Sequence, residues 1–177
     1  TAGAYTANTQ GDDLDGAYLG TPVEVAEFAS GSISIASGVT TENQVYSLYA
    51  VDMAGNASTA STDTVRIDRV APQEFSATFD QAYANLSTQD AMSFTFSGAE
   101  VDAHYGYSID DGMSSTIIGD GIVGAVDEQV GSISVSTLVD SSPTRLELSV
   151  VLTDEAGNSR SSPVDTVVKD TVRPTLS

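Results

Sequence analysis

The chain has 177 residues and a net charge of −19, from 25 acidic and six basic side chains. Because binding to phosphates or to anionic lipid requires a cationic surface, this charge argues against nucleic acid and membrane surfaces as partners. No run reaches the roughly 18 apolar residues of a membrane helix, so we expect no membrane insertion. The length allows one large or two small domains.

The chain contains no cysteine, which excludes disulfides, thiolate catalysis and thiolate zinc sites. Of the acidic residues 17 are Asp and 8 are Glu, and the Asp residues stand mainly beside Gly, Asn and Ser, in loop-like sequence. Two interpretations of this acidity stay open. The carboxylates keep the protein soluble, as in a high-salt habitat, or they provide the hard oxygen ligands that Ca²⁺ prefers.

Taken in chain order, the predicted elements are strands, with one exception. A cap residue, a proline and a glutamate open the segment 22–28 and predict a turn or two of helix there. Alternation of apolar and polar residues, rich in β-branched and aromatic side chains, predicts the strands. They lie at 63–67, 92–96, 146–152 and 165–169. In the third of these the inward-facing residues are Leu146, Leu148, Val150 and Leu152.

A 21-residue segment that begins at Asp52 recurs from Asp154, and ten of its 21 positions are identical in the two copies. The offset of 102 residues holds without a gap as far as Pro72 and Pro174. A period of about 100 residues equals one immunoglobulin-like β-sandwich module. We therefore predict an all-β fold of tandem immunoglobulin-like antiparallel β-sandwiches with Greek-key connections. The expected modules are residues 1–68 and 69–170, with the start of a further module over 171–177.

The alignment also predicts which side chains of the first module are buried. The inward residues of 146–152 correspond to Tyr46, Leu48 and Ala50, which we expect in a core. Their polar neighbours correspond to Val45 and Ser47, which we expect to face solvent, since antiparallel sheets commonly have one wet face.

The first module is expected to be incomplete. Matching Tyr5 to Tyr107 leaves nothing to correspond to residues 71–100, which hold the first two strands of the second module. Either the missing strands precede this sequence, or they lie elsewhere in the parent chain because another domain is inserted into the module.

The repeated Asp-x-Ala-Gly-Asn at 52–56 and 154–158 is hairpin chemistry, because Gly and Asn adopt positive φ and Asp bonds to nearby backbone. In an immunoglobulin-like topology this loop lies at the same end as the N-terminus of its module and the loop 98–102. Carboxylates of the linker and of several loops should then meet where two modules join. Mutual repulsion would be relieved by Ca²⁺, which binds six to eight oxygens. The predicted ligands are Asp68, Glu100, Asp102, Asp154, Asp12, Asp13, Glu42, Asp52 and Asp170.

The alternative for Asp52 and Asp154 is that each carboxylate only caps its own hairpin. This alternative is weaker for Asp68 and Asp170, because an Asp in a linker has no evident turn to stabilise. A proline follows in each linker and restricts φ, so bridging ions would remove much of the remaining hinge freedom and produce a rigid rod.

The motif V-D-x-A-G-N, followed by D-T-V-x-x-D-x-V-x-P, resembles the tandem bacterial immunoglobulin-like extender modules of giant secreted adhesins. These are typically RTX or type I-secreted biofilm proteins of Gram-negative bacteria. The resemblance covers most of the second module and the latter half of the first. It implies Ca²⁺ at module junctions, where the ion stiffens a stalk that holds a ligand-binding tip away from the cell. It also implies a secreted, cell-surface protein whose partners are neighbouring modules and, through other domains, a host or surface ligand.

The sequence bears on three other functions. An enzyme is not expected. A Ser-His-Asp set would need His104, the only histidine, and a histidine at a loop-to-strand transition is more often structural. Tryptophan is absent, so no aromatic platform for glycoside hydrolysis is evident. A ligand-binding module, for carbohydrate or protein, remains the alternative and would need exposed aromatic side chains. The candidates are Tyr5, Tyr18, Tyr105 and Tyr107. Homophilic adhesion of the cadherin kind is neither supported nor excluded by the sequence.

Overall fold

The computed structural model describes residues 2–8, 23–25, 42–51, 58–113, 115–140 and 145–176. These residues form β-strands and no helix, so the expected all-β fold is confirmed. None of them forms a helix of the length and apolarity that a bilayer crossing requires. The chain divides into two compact units, Thr1–Arg69 and Val70–Ser177.

The described residues of unit 1 form one antiparallel sheet. Its strands are β1 (Ala2–Asn8), β2 (Val23–Val25), β3 (Val45–Val51) and β4 (Thr64–Arg66), in the spatial order β2-β1-β3-β4. As expected from the repeat, Tyr46 is buried and Val45 is exposed. The side chains of Leu48 and Ala50 lie outside the described part of the chain.

The helix predicted over 22–28 is wrong at residues 23–25, because these form β2 and pair with β1. A cap and a proline express only a local preference, and cross-strand pairing readily overrides it. The Val-Glu-Val sequence of this segment also suits a strand, since valine packs well on a pleated surface.

Unit 2 is a two-sheet sandwich. One sheet has the order β10-β7-β5, and the other has the order β6-β13-β11-β8-β9, with β12 also paired to β11. The strands are β5 (Ser76–Phe79), β6 (Tyr83–Ala84), β7 (Met92–Ser97), β8 (His104–Asp110), β9 (Thr116–Ile122), β10 (Gln129–Ile133), β11 (Arg145–Thr153), β12 (Ser159–Ser161) and β13 (Asp165–Lys169). The chain thus crosses between the two sheets at β5–β6, β6–β7, β7–β8, β9–β10 and β10–β11, as in an immunoglobulin-like Greek key.

The core of unit 2 lies between these sheets and follows the predicted alternation. In β11 the four predicted residues Leu146, Leu148, Val150 and Leu152 are all buried, whereas the residues between them are exposed. From the opposite sheet, Phe94 and Phe96 of β7 face them, with ring centroids 5.4 Å apart in an edge-to-face arrangement.

The sheet of unit 1 has the same strand order as β9-β8-β11-β13 of unit 2. The residue-by-residue match of β1 with β8 differs from the predicted match of Tyr5 with Tyr107. Leu48, the repeat counterpart of Val150, pairs with Thr6, whereas Val150 pairs with Tyr107. Thr6, rather than Tyr5, therefore occupies the place of Tyr107, and a shift of one residue exchanges the two faces of a strand.

Candidate functional site

The chain enters unit 2 at the end of the sandwich that carries the 154–158 turn. Thr153, directly before this turn, pairs with His104, directly after the turn that contains Asp102, so the two loops lie at the same end. The N-terminal segment of the unit is held there as well. The Nε of Arg160 donates to the carbonyl oxygen of Pro72 at 2.5 Å, and its Nη1 lies 3.8 Å from the Glu74 carboxylate.

The Asp154 carboxylate caps its own turn. Its Oδ1 accepts the Asn158 backbone N–H at 2.8 Å and its Oδ2 accepts the Asn158 side-chain amide at 2.9 Å. The turn closes with a bond from the Gly157 N–H to the Asp154 carbonyl, and Gly157 adopts a φ of 92°, which suits glycine. The side-chain hydrogen bond from Asn158 is the main reason that the pKa of Asp154 lies below its usual value, and backbone N–H groups of the turn add to it.

Glu100 and Asp102 occupy the turn between β7 and β8. The Asp102 backbone N–H donates to the carbonyl of Val123 at 2.9 Å, and Asp102 has a φ of 69°. The carbonyl of Glu100 accepts the Ala103 N–H at 3.3 Å. Their backbones are thus fixed, at the same end as Asp154.

The chain leaves unit 2 at the opposite end, about 30 Å away along the nine residues of β11. There the Asp140 carboxylate accepts the backbone N–H of Thr171, with each oxygen 3.1 Å from the nitrogen, and also the Thr171 hydroxyl. The Oδ1 of Asp170 accepts the Val172 N–H at 3.0 Å. The Asp170 carboxylate therefore has a local backbone partner, although a linker Asp was expected to have no turn to stabilise.

Unit 1 ends in a similar contact. Both oxygens of Glu42 lie 3.1 Å from the backbone nitrogen of Arg69, which donates to them, and the Arg69 guanidinium lies 4.0 Å from the same carboxylate. Directly beyond Glu42, the Asn43 N–H donates to the Ile67 carbonyl and the Ile67 N–H donates to Gln44. Asp68 follows Ile67 and takes part in a further interaction of its own.

The predicted metal ligands are only partly covered by the structure. Asp12, Asp13 and Asp52 lie outside the described residues. Within the described ranges, no three Asp, Glu or His side chains come close enough together to hold a metal ion. The carboxylates of Glu42, Asp154 and Asp170 instead accept backbone N–H groups, as described above. These residues alone do not make up a Ca²⁺ site, and the nine-residue ligand set stays a prediction.

Two buried charges escaped the sequence interpretation. Asp111 is fully buried and Lys169 is only 3 % exposed. The ammonium of Lys169 donates to the carbonyl of Leu138 at 2.5 Å, and Asp111 accepts the N–H of Val139 at 3.1 Å. Because that carbonyl and that N–H belong to one peptide group, the group lies between two opposite charges. The remaining oxygen of Asp111 accepts two N–H groups of its own loop, from Met113 and Ser115.

The repeat contained a signal for Lys169. Its counterpart in the first copy is Ile67, and it lies two residues after the inward-facing Val167 in the same strand. A lysine at an inward, apolar position of a strand indicates a buried, partnered charge. Asp111 had no comparable signal, because an Asp-Asp-Gly sequence is typical of an exposed turn.

The tyrosines considered for ligand binding pack into the core where the structure describes them. The ring of Tyr105 lies against Phe96 and that of Tyr107 against Phe94, both at 5.3 Å between centroids. A Cβ on Gly121 would come within 2.5 Å of Tyr105, so the glycines of β9 make room for these rings. Burial, followed by nearby acidic groups, raises the pKa of both tyrosines. Tyr18 and the side chain of Tyr5 lie outside the described residues.

His104 is exposed and lies 3.5 Å from the Asp120 carboxylate on the neighbouring strand. On the outer face of the opposite sheet, Asp80 accepts hydrogen bonds from Ser93, Thr95 and Gln129 at 2.5 to 2.9 Å. Burial acts to raise the pKa of Asp80, but the three hydrogen bonds outweigh it and lower that pKa below the usual value.

Comparison with protein-family models found no match, and comparison with curated protein sequences found none either. Solved structures that resemble the chain include the tetra-tandem repeat in the extending region of a large adhesion protein. It is 16 % identical, with a TM-score of 0.43, over 94 % of this chain and 41 % of that one. The chicken CNTN1 FN1–FN3 domains are 11 % identical, with a TM-score of 0.34, over 96 % of this chain and 57 % of that one.

The D00–D0 domain of Intimin is a third such structure. It is 15 % identical, with a TM-score of 0.33, over 93 % of this chain and 78 % of that one. The chain thus spans less than half of the adhesion-protein repeat and somewhat over half of the CNTN1 fragment. These similarities assign no function.

Proposed function

We propose that the chain is an extender segment of a large bacterial surface adhesin, located outside the cell, and that it acts as a structural spacer rather than as an enzyme. The observation that carries this proposal is the geometry of unit 2. The chain enters beside Pro72 at one end of the sandwich and leaves beside Asp140 at the other. A module with its termini at opposite ends adds its full length to the distance between whatever precedes and follows it.

Repetition supports the same function. The segment from Asp52 to Pro72 returns 102 residues later, and the strand order of unit 1 repeats that of one sheet of unit 2. A chain of such modules gains length by adding copies, since each repeat contacts mainly its neighbours. An RTX-type, biofilm-forming parent protein is part of this proposal and rests on the motif resemblance.

Calcium binding is proposed as the means of stiffening. It is supported by the net charge of −19 and by three acidic residues, Glu100, Asp102 and Asp154, in the loops at the entry end of unit 2. Ligands from the preceding linker and from the other predicted ligand residues would complete the oxygen shell that Ca²⁺ requires.

Single-molecule stretching through the two termini tests the spacer function. Unit 2 should unfold in one discrete step and release about 30 nm of chain, the extended length of about 100 residues less the folded module. Gradual extension without a step would contradict a load-bearing module. In a parallel glycan and protein array, binding by this chain would instead favour the ligand-binding alternative.

A further inference from the structure

We propose that a carboxylate clamp, formed by Glu42 on Arg69 and by Asp140 on Thr171, fixes the residue after the linker Asp to the module that the chain is leaving, without a metal ion. In both units the two carboxylate oxygens lie 3.1 Å from one backbone nitrogen. Charged acceptors make hydrogen bonds roughly twice as strong as neutral ones. The clamp goes beyond the spacer function and does not depend on it.

The two clamps act on the same position of the repeat. Arg69 and Thr171 are 102 residues apart, and each directly follows the repeated Asp of its linker. The carboxylates, in contrast, are 98 residues apart, so Glu42 and Asp140 do not correspond in the alignment. The same contact is therefore made in both units, but by acids at different distances before β3 and β11. Because these acids do not align in the repeat, comparison of the two copies did not reveal the contact.

Each clamp has a second donor of a different kind. Arg69 adds its guanidinium, 4.0 Å from Glu42, whereas Thr171 adds its hydroxyl to Asp140. The ion pair is partly exposed, so its own contribution is small. The shared element is the backbone N–H, which fixes the direction of the main chain as it leaves the sheet.

In unit 2 the buried charges of Asp111 and Lys169 fix the backbone next to the clamp residue Asp140. Asp140 follows directly after the peptide group that Asp111 and Lys169 hold from its two sides. In unit 1, Glu42 precedes Asn43, whose N–H pairs with the carbonyl of Ile67. Both acids thus stand next to backbone that is already fixed, which lowers the entropy cost of closing the contact.

Amide hydrogen exchange, measured by NMR on the chain in EDTA and again in Ca²⁺, tests the clamp. The Thr171 amide should be protected equally in both conditions. The substitution Asp140→Ala should speed its exchange by about threefold to tenfold, the range for losing a partly exposed hydrogen bond to a charged acceptor. Asp140→Asn, which keeps one acceptor oxygen, should have a smaller effect. Glu42→Ala should do the same to the Arg69 amide.

The matched control is Glu155→Ala, which removes an exposed carboxylate from the turn at the other end of unit 2 and should leave Thr171 unchanged. Protection of the Val150 amide in β11 reports that the sandwich remains folded in each variant. The proposal is overturned if Asp140→Ala leaves the Thr171 exchange rate unaltered. It is equally overturned if EDTA alone removes the protection of Thr171, because a metal ion would then hold the linker.

Discussion

Asp111 and Lys169 are opposite charges inside the sandwich of unit 2, with the peptide group of residues 138 and 139 between them. A buried charge is costly unless it is partnered, and here each charge is hydrogen-bonded to a different end of the same peptide dipole. The arrangement binds the loop before β11 to the last strand, β13, and to the loop after β8. It is a connection between three parts of the chain that are distant in sequence.

We predict that Asp111→Ala lowers the free energy of unfolding of unit 2 by about 3 kcal/mol. The substitution leaves three N–H groups without their acceptor and removes the negative charge that balances the buried Lys169 ammonium across the peptide group. Urea denaturation followed by circular dichroism measures the change. In a double-mutant cycle with Lys169→Met, the two losses should be less than additive. Strictly additive losses would show that the two charges do not interact through the peptide.

Gly121 is a second residue whose identity is fixed by its surroundings. The ring of Tyr105, its cross-strand partner, occupies the space that a side chain at position 121 would need. We predict that Gly121→Ala lowers the free energy of unfolding by about 1 to 3 kcal/mol through overpacking. Gly106→Ala is the control, since a Cβ there meets no atom within 4 Å. Equal thermal stability of the two variants would contradict this prediction.

At the scale of elements, turns and sheet faces are held by hydrogen-bonded carboxylates. Asp154 organises the hairpin between β11 and β12, and Asp80 joins β7 to β10 across the outer face of their sheet. Both have a lowered pKa in the folded protein. A lowered folded pKa means that the unfolded chain takes up protons first, so the stabilisation is present above the unfolded pKa and is lost as the pH falls.

We therefore predict that unit 2 loses stability as the pH decreases below about 4, the ordinary pKa of Asp, and down through the lower folded values. The variant Asp80→Asn should show a smaller loss over this range, because it no longer takes up that proton on unfolding. Melting temperatures between pH 6 and pH 3 provide the measurement, with Glu155→Gln as an exposed control. A pH dependence in Asp80→Asn that is as steep as in the control, or steeper, would refute the assignment.

Much of the element structure was predictable, because strand alternation is a local signal. The inward set of β11 and the burial of Tyr46 follow directly from the period of two and from the repeat. Registers between strands depend on pairing, so the match of Tyr5 to Tyr107 failed by one residue. The clamp of Asp140 on Thr171 joins residues 31 positions apart, and no local pattern marks such a contact.

For the candidate metal site, the sequence predicted where acidic residues gather but not what each carboxylate binds. Acidic loops at the entry end of unit 2 followed from the topology, and the structure does have Asp102 and Asp154 at that end. What sequence could not provide is the partner of each carboxylate. Asp154 and Asp170 both engage backbone N–H groups nearby, which is a local use of an acid that competes with a metal for the same oxygens.

At the scale of the whole molecule, we propose a spacer made from repeated modules, with a carboxylate clamp where each unit ends and with Ca²⁺ between modules. The clamp and the ion restrict different parts of the chain. The clamp fixes the exit of the chain from its own module, and the ion would restrict motion of the next module. The clamp should therefore be equally rigid with and without Ca²⁺, whereas the whole chain should become stiffer when Ca²⁺ binds.

Small-angle X-ray scattering of the chain, combined with thermal melting, tests the central claim most directly when Ca²⁺ is compared with EDTA. With Ca²⁺ we predict a larger maximum dimension, a scattering profile typical of a rigid particle, and a higher melting temperature, since an ion that binds only the folded state stabilises it. With EDTA, repulsion among acidic loops and free linker torsions should give a flexible, on average shorter particle. A maximum dimension and a melting temperature that are both unchanged by Ca²⁺ would contradict the calcium-stiffened spacer.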